Sequence, residues 1–375
     1  MVAPAVEAYQ DAMLQIGNAS SLHTCGRDAR RRVEEAREAI AAVAHCEASE
    51  VIFTASGTES NNLAIKGLYW NAVAANPSRK LILISAIEHH AVMDPAEWLV
   101  EHQGAELILL PVLPTGEIDL PFLSDLVASR SSEIALIAVM HSNNEVGTIQ
   151  PIAEVVEIAG DIPVHTDAVQ SFAKVPFNFS KLGVTTATIS AHKIGGPYGV
   201  AALVVKHGLD ITPILHGGGQ ERDIRSGTLN TPGIVAFAAA AKYADTYRQQ
   251  TAEKVNQVKA ALKEEILSKV ADAKFNGAGL DQLPGILSVT FPGTESDGLL
   301  LLLDGEEIAT STGSACSAGV QQASHVLIAM GLSVRDARSS LRFSLSPSNT
   351  LEDVKRLGEV IEGVVAKSRA SMGYK

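Results

Sequence analysis

Cysteine is scarce in this chain: there are 3 in 375 residues, at Cys25, Cys46 and Cys316. An odd set with no paired spacing excludes a disulfide framework and a zinc knuckle. Long apolar runs are missing too, and stretches such as Leu299 to Leu303 are far too short to span a bilayer. Basic residues are in deficit, 30 against 42 acidic, for a net charge of −12. That argues against a dedicated nucleic-acid binder, because neutralising phosphates needs a basic face. The one basic run, Arg30-Arg31-Arg32, reads as a solvated helix face. The opening MVAPAVEAYQ has neither the charged nor the apolar region of a signal peptide. The expectation is a soluble cytoplasmic protein with no membrane or direct nucleic-acid partner.

What is present is a globular composition, 46% hydrophobic and 19% charged, long enough for about two domains. Strand-like runs begin at Val51, Lys80, Glu106, Glu133, Ile162, Thr185 and Val200, and helical segments separate most of them. Such alternation predicts an α/β fold with a mostly parallel sheet covered by helices. From Pro232 to about Asp272 the helical pattern is too long for one ordinary helix. It changes near Gln249 from apolar nearly all round to amphipathic, which marks a domain boundary. The expected division is a large domain over 17–250 and a smaller α+β domain over 251–375, the latter joined by an N-terminal helix within 1–16. That helix carries Val6, Tyr9, Met13 and Ile16 as its apolar stripe. A second helix from Asp28 to Ala44 buries Val33, Ile40 and Val43, leaving Glu34 to meet Arg37 and Glu38 in solvent.

The chemistry gathers around TTATISAHKIGGPYG, residues Thr185 to Gly199. A strand there delivers Ser190, His192 and Lys193 just before Gly195, Gly196 and Pro197 end regular structure. An amine held at a strand end against a packed body is partly desolvated, which frees its lone pair to attack a carbonyl. Upstream, IPVHTDAVQ ends another strand on Asp167 and Gln170. A carboxylate at one strand end and a lysine at another suit an aldehyde cofactor with a basic ring nitrogen, pyridoxal 5'-phosphate. Ser56 and Glu59, flanking Gly57 and Thr58, fit a helix-capping box, and the same free N–H groups can hold a phosphate. His89 follows a strand of the same sheet and can reach a ligand lying across the strand ends. The loop HSNNEVG can serve a cofactor or only its own backbone. No GxGxxG fingerprint stands in a strand–turn–helix setting, which weakens a dinucleotide-dependent dehydrogenase. Cys25 and Cys46 read as small inert hydrophobes, whereas Cys316 sits among Gly, Ser, Thr and Ala, a composition expected to pack poorly.

Taken together, SGTESNN, EHHAV, HSNNEVG, DAVQ, SAHK, RSGT, STGSACSAG and LRFSL stand in one order between about Asn18 and Ser346. In this the chain resembles the cysteine desulfurases, pyridoxal-phosphate enzymes of the aminotransferase class V family, in their branch with a long mobile loop. The resemblance implies a fold type I transferase that converts L-cysteine to L-alanine. It implies that Lys193 condenses with the coenzyme aldehyde and moves the Cα proton, and that Asp167 keeps the ring nitrogen protonated. Gln170 would bond the ring hydroxyl oxygen, and His89 would stack on the ring and act in proton transfer. Gly57, Thr58, Ser190 and His192 would hold the phosphate, with Thr228 completing that site in the neighbouring subunit of a homodimer. Asn144 would sit beside cofactor and substrate, and Arg342 would bind the substrate carboxylate. Cys316 would take the sulfur as a persulfide and pass it to acceptor proteins such as an iron–sulfur scaffold. No metal is implied. A selenocysteine lyase or another class V aminotransferase shares most of these residues. Relatives begin with a short strand and an acidic Ala-Thr-Thr-type segment against the active site, and this chain starts at Met1-Val2-Ala3-Pro4, downstream of it. From that start comes the further alternative of a non-catalytic sulfur-transfer scaffold.

Overall fold

The computed structural model of the chain describes residues 1–277, 282–313 and 323–373. They divide into two compact units, the first made of residues 1–110, 120–141 and 150–248 and the second of the remainder. The first unit carries α1 (Ala3–Met13), α2 (Thr24–Ala44), β1 (Val51–Thr54), α3 (Gly57–Ala75), β2 (Leu81–Ser85) and α4 (His90–Gln103). It continues with β3 (Glu106–Leu110), α5 (Leu120–Arg130), β4 (Ile134–Ala138), α6 (Ile152–Ala159) and β5 (Val164–Asp167). It closes with α7 (Phe179–Leu182), β6 (Thr186–Ser190), β7 (Ala201–Val205) and α8 (Thr231–Thr246).

These strands form one sheet in the order β1-β7-β6-β5-β4-β2-β3. β7 is antiparallel to both neighbours and the other pairings are parallel, so β7 alone runs against the rest. The C-terminal ends of β1, β2, β4, β5 and β6 therefore share one edge, the edge where open α/β sheets place ligands. β2 and β4 are buried along their whole length and, but for Ser85 at the end of β2, apolar, as strands covered on both faces must be. β5 is different: it reads VHTD and is just as buried. Three polar side chains in the middle of a sheet are costly unless each finds a partner. His165 and Asp167 find theirs, and Thr166 Oγ1 has none among the described residues.

The expected stripe of α1 is corrected by its packing. Ala5 and Ala12 are its buried residues, while Met13 and Ile16 are 62% and 86% exposed. Small residues let α1 lie close against the alanine-rich α8, so residues 1–13 belong with the first unit and not with the C-terminal one. Arg37 is corrected as well. It is buried, and its Nη2 meets Glu221 Oε1 at 2.7 Å. Glu221 also accepts from the Phe53 amide at 2.6 Å, so this pair ties the glycine-rich loop of residues 216–228 to β1. Glu34 does bond Arg37, at 3.0 Å.

The second unit holds α9 (Arg248–Lys269), β8 (Lys274–Asn276), β9 (Ile286–Thr290), α10 (Ser296–Asp304) and β10 (Ser311–Thr312). It ends with α11 (His325–Ala329), α12 (Val334–Arg338), β11 (Ser340–Ser344) and α13 (Leu351–Ser371). Its antiparallel sheet runs β10-β11-β9-β8 and packs Val289, Phe343 and Leu341 against Leu262, Leu299 and Ile361. The helical pattern breaks at Tyr247, between α8 and α9. Residues 111–119 and 142–149 join this unit although they interrupt the first in sequence. No helix of the described residues is long and apolar enough to cross a membrane.

Candidate active site

Asp167 ends β5 with its carboxylate out of solvent. Oδ1 accepts from the Val169 amide at 2.9 Å and Oδ2 from Asn61 Nδ2 at 2.7 Å. Burial raises this carboxyl above its usual value, while Val169, Asn61, His89 and Lys193 pull it back. His89 lies at the end of the β2 segment and caps α4, its Nδ1 accepting from the Ala91 amide at 3.1 Å. With Nδ1 so engaged, the neutral ring carries its proton on Nε2. Burial lowers the imidazole below its usual value, Asp167 opposes that, and His90 and Lys193 add to it. Next to it in sequence, Glu88 is wholly buried and accepts from the Met140 amide at 2.5 Å. Burial and the Asp167 charge push its carboxyl well above the carboxylate range.

Lys193 sits on a 3-10 turn, Ala191–Ile194, between β6 and β7. Both sides of this turn are held. Ser190 pairs with Ala201, the Ala191 amide donates to Val200 at 3.3 Å, and the Gly196 amide donates to Ala191 at 2.9 Å. The Val2 amide donates to the Gly195 carbonyl at 2.8 Å, so α1 begins on this turn. Gly195 has φ +82°, and an added Cβ would fall 2.7 Å from Val2 Cγ1, which makes glycine necessary there. The lysine itself is exposed, because the turn carries it off the strand end. Its charge still lowers the pKa of His192 and Lys174, in both cases behind burial as the larger cause.

Gln170 follows Asp167 by one turn and accepts at Oε1 from Lys174 Nζ at 3.1 Å. That leaves the amide nitrogen of Gln170 as its outward donor. Lys174 is pushed down to about 8. Residue spacing offers a signal for it, since four positions along a turn-rich segment bring the two side chains together.

Helix α3 starts at the end of β1. Ser56 Oγ accepts from the Glu59 amide at 3.1 Å, one half of a capping box. The return bond differs from the expected one: Glu59 Oε2 accepts from Ala55 at 2.8 Å, and Glu59 Oε1 pairs with Arg225 Nε at 2.7 Å. Arg225 thereby fastens the loop bearing Thr228, which is itself exposed. Gly57 packs on β6, where an added Cβ would lie 3.0 Å from Val169 and 3.9 Å from Ser190. Ser190 Oγ is buried with no hydrogen-bond partner among the described residues. A helix N-terminus beside an unpartnered hydroxyl is a ready anion cradle. Thr58 and His89 line one cleft of about 320 Å³ with Asn62 and Trp98. A larger hollow of about 420 Å³ lies among Arg30, Arg37 and Glu221 and contains none of these residues.

A phosphate cradle, a buried carboxylate and a lysine on one sheet edge fit pyridoxal 5'-phosphate. Lys193 and Gln170 complete the set, all within the first unit. Asn144 and Arg342 fall in the second unit, where Arg342 Nη1 donates to the Asn144 carbonyl at 3.0 Å. Arg342 Nε is buried without a partner among the described residues. Nearby, Glu145 accepts from Ser324 Oγ at 2.5 Å, and a Cβ on Gly313 would fall 2.3 Å from the same carboxylate. Cys316 lies outside the described residues. Of the other two cysteines, Cys25 is exposed and Cys46 half-buried. Burial, with Glu50 and Glu47, pushes the Cys46 thiol up to about 12.

Residues 2–357 match the family described as aminotransferase class V. Over 368 residues the chain is 46% identical to the IscS-like cysteine desulfurase of Mycobacterium tuberculosis, covering 97% of this chain and 93% of that protein. Among solved structures, a NifS-like protein superposes with a TM-score of 0.89 at 34% identity, covering 98% of this chain and 96% of the other. SspA, solved in complex with cysteine, superposes with a TM-score of 0.81 at 31% identity, over 93% of this chain and 97% of that one. Likeness of this extent, on a sheet edge already fitted to the coenzyme, means that the chain belongs to the aminotransferase class V family, among the pyridoxal-phosphate-dependent cysteine desulfurases.

Proposed function

We propose that the chain removes sulfur from L-cysteine, releases L-alanine and holds the sulfur on Cys316 as a persulfide for acceptor proteins such as an iron–sulfur scaffold. The observation that carries this is Asp167, a buried carboxylate set among Lys193, His89 and the α3 start. When bound, the coenzyme supplies a sink for the electron pair left at the substrate Cα.

The chain's own groups divide the remaining work. Asp167 accepts from the ring nitrogen and Gln170 donates through its amide to the ring oxygen, its own Oε1 being taken by Lys174. His89 would stack on the ring and hold a proton at Nε2 for transfer. Gly57 and Thr58 amides, Ser190 Oγ and His192 hold the phosphate, with Thr228 of a second subunit completing the cradle in a cytoplasmic homodimer. Lys193 takes and returns the proton at Cα. Arg342 clamps the substrate carboxylate beside Asn144, its planar fork matched to two oxygens. Cys316 would attack the substrate sulfur as a thiolate, forming an S–S bond as the Cβ–S bond breaks, the pair of that bond staying with Cβ, which takes up a proton to become the methyl group of alanine.

The test is alanine formation from L-cysteine, with sulfide released when an added thiol reductant discharges the persulfide. Cys316→Ser is expected to keep the visible absorbance of bound coenzyme and to lose sulfide release. Parent-level turnover in that variant refutes the assigned sulfur carrier.

A further inference from the structure

His165 takes no part in the site described above, yet it is fully buried in β5, two residues before Asp167. Residues two apart on a strand share a face. A buried imidazole persists where both nitrogens are satisfied. Nδ1 lies 2.9 Å from Thr186 Oγ1, its register partner on β6, and Nε2 lies 3.0 Å from Asn61 Oδ1. Asn61 Nδ2 then donates to Asp167 Oδ2 at 2.7 Å. Thr186, His165 and Asn61 are all at most 1% exposed.

The direction of this chain of bonds follows from the donor and acceptor inventory. A carboxylate only accepts, so Asn61 presents its NH2 group to Asp167. The Asn61 carbonyl then faces His165 and requires a proton from Nε2. Burial lowers the His165 pKa to about 3, so the ring is neutral and has one proton to give. Nδ1 is left to accept from the Thr186 hydroxyl. Reversing the assignment turns an acceptor toward Asp167 and demands that its carboxyl be protonated. Burial presses in that direction, while the Val169 amide, the Asn61 amide, His89 and Lys193 press against it.

We propose that His165, acting through Asn61, is a positioning residue that holds Asp167 as an anionic acceptor for the coenzyme ring nitrogen. The Nε2–H tautomer of one buried histidine thus sets how firmly that nitrogen keeps its proton. The proposal rests on the reading of Asp167 given under the proposed function.

The experiment uses the holoenzyme carrying pyridoxal phosphate labelled with 15N in the ring, together with 15N-labelled histidine. In the unaltered protein His165 is expected as the Nε2–H tautomer, and an Nδ1–H tautomer overturns the proposal. In His165→Leu the ring-nitrogen resonance is expected to move toward the unprotonated position. Coenzyme should dissociate about tenfold more readily, the usual worth of one hydrogen bond to a charged group. His165→Gln, whose amide can still donate to Asn61, should return both readouts toward the parent. A folded His165→Leu protein with the parent resonance and affinity overturns the proposal. Should His165→Leu fail to fold, Thr186→Val serves: losing the hydroxyl should shift His165 toward Nδ1–H and move the ring nitrogen with it, and an unmoved pair of resonances overturns the idea. Asp167→Asn separates the two levels. A ring nitrogen that ignores Asp167→Asn defeats the reading of Asp167 itself, whereas one that responds there but not in His165→Leu defeats only the relay.

Discussion

Two buried polar clusters sit in the same unit, and they differ in completeness. Around β1, Glu221 accepts from Arg37 through both oxygens, at 2.7 and 2.8 Å, and from the Phe53 amide at 2.6 Å. Arg37 spends its remaining donors on Glu34 and the Val51 carbonyl. Around β5 and β6, by contrast, the hydroxyls of Thr166, Thr188 and Ser190 are buried without partners among the described residues. A closed cluster is scaffold, because its groups have nothing left to offer a ligand. An open one marks a site, because unpaired buried groups are tolerated only where something else completes them.

This contrast can be broken most forcefully at Lys193. Lys193→Ala should lower cysteine turnover roughly 10⁴-fold, the scale for loss of a proton-transfer group, and abolish the visible absorbance of bound coenzyme. Its denaturant midpoint should stay near the parent's, and a large fall in stability would place Lys193 in the scaffold. Arg37→Met should do the reverse. Stranding the Glu221 charge costs about 3–5 kcal/mol of unfolding free energy, with turnover per folded molecule held within about twofold. A stable Arg37→Met enzyme that has lost turnover would dissolve the distinction.

Smaller effects sharpen it. Ser56→Ala removes the α3 cap and should cost about 1 kcal/mol in urea unfolding, together with weaker coenzyme binding in a titration. Lys174 gives a pH signature. Its folded pKa of about 8 lies below the model-peptide value of 10.5, so between those two the native state binds fewer protons than the unfolded one. Stability of the parent should therefore rise relative to Lys174→Met as pH climbs through that window, and a flat difference in thermal midpoints counts against a buried charged Lys174.

Much of the architecture is legible as apolar runs. LILIS and IALIA are continuous and buried, and the change of pattern near Gln249 coincides with the break at Tyr247. Packing of small residues is not legible in the same way. The stripe Val6, Tyr9, Met13 and Ile16 has the bulk of a core face, yet Ala5 and Ala12 face α8. Bulk predicts burial only when the partner surface has room, and an alanine-rich helix offers closeness instead. Arg37 escapes a local reading because Glu221 lies 184 positions away. His165 left a signal in its parity with Asp167, but Asn61, reaching across from another element, left none. For the site, Asp167 and Ser190 end their strands where sequence spacing puts them, Lys193 lies beyond the strand end on a 3-10 turn, and Cys316 is outside the described residues.

Because β7 turns back on β6, the turn carrying Lys193 is a short reversal and not a long crossover through a helix. Strand pairing grips it on either flank and the chain's second residue pins it from outside. The backbone there is a mooring post. All travel available to the amine comes from rotation about its own aliphatic stem. In the proposed reaction the proton at Cα would therefore be met by a side chain turning on a backbone held from both flanks.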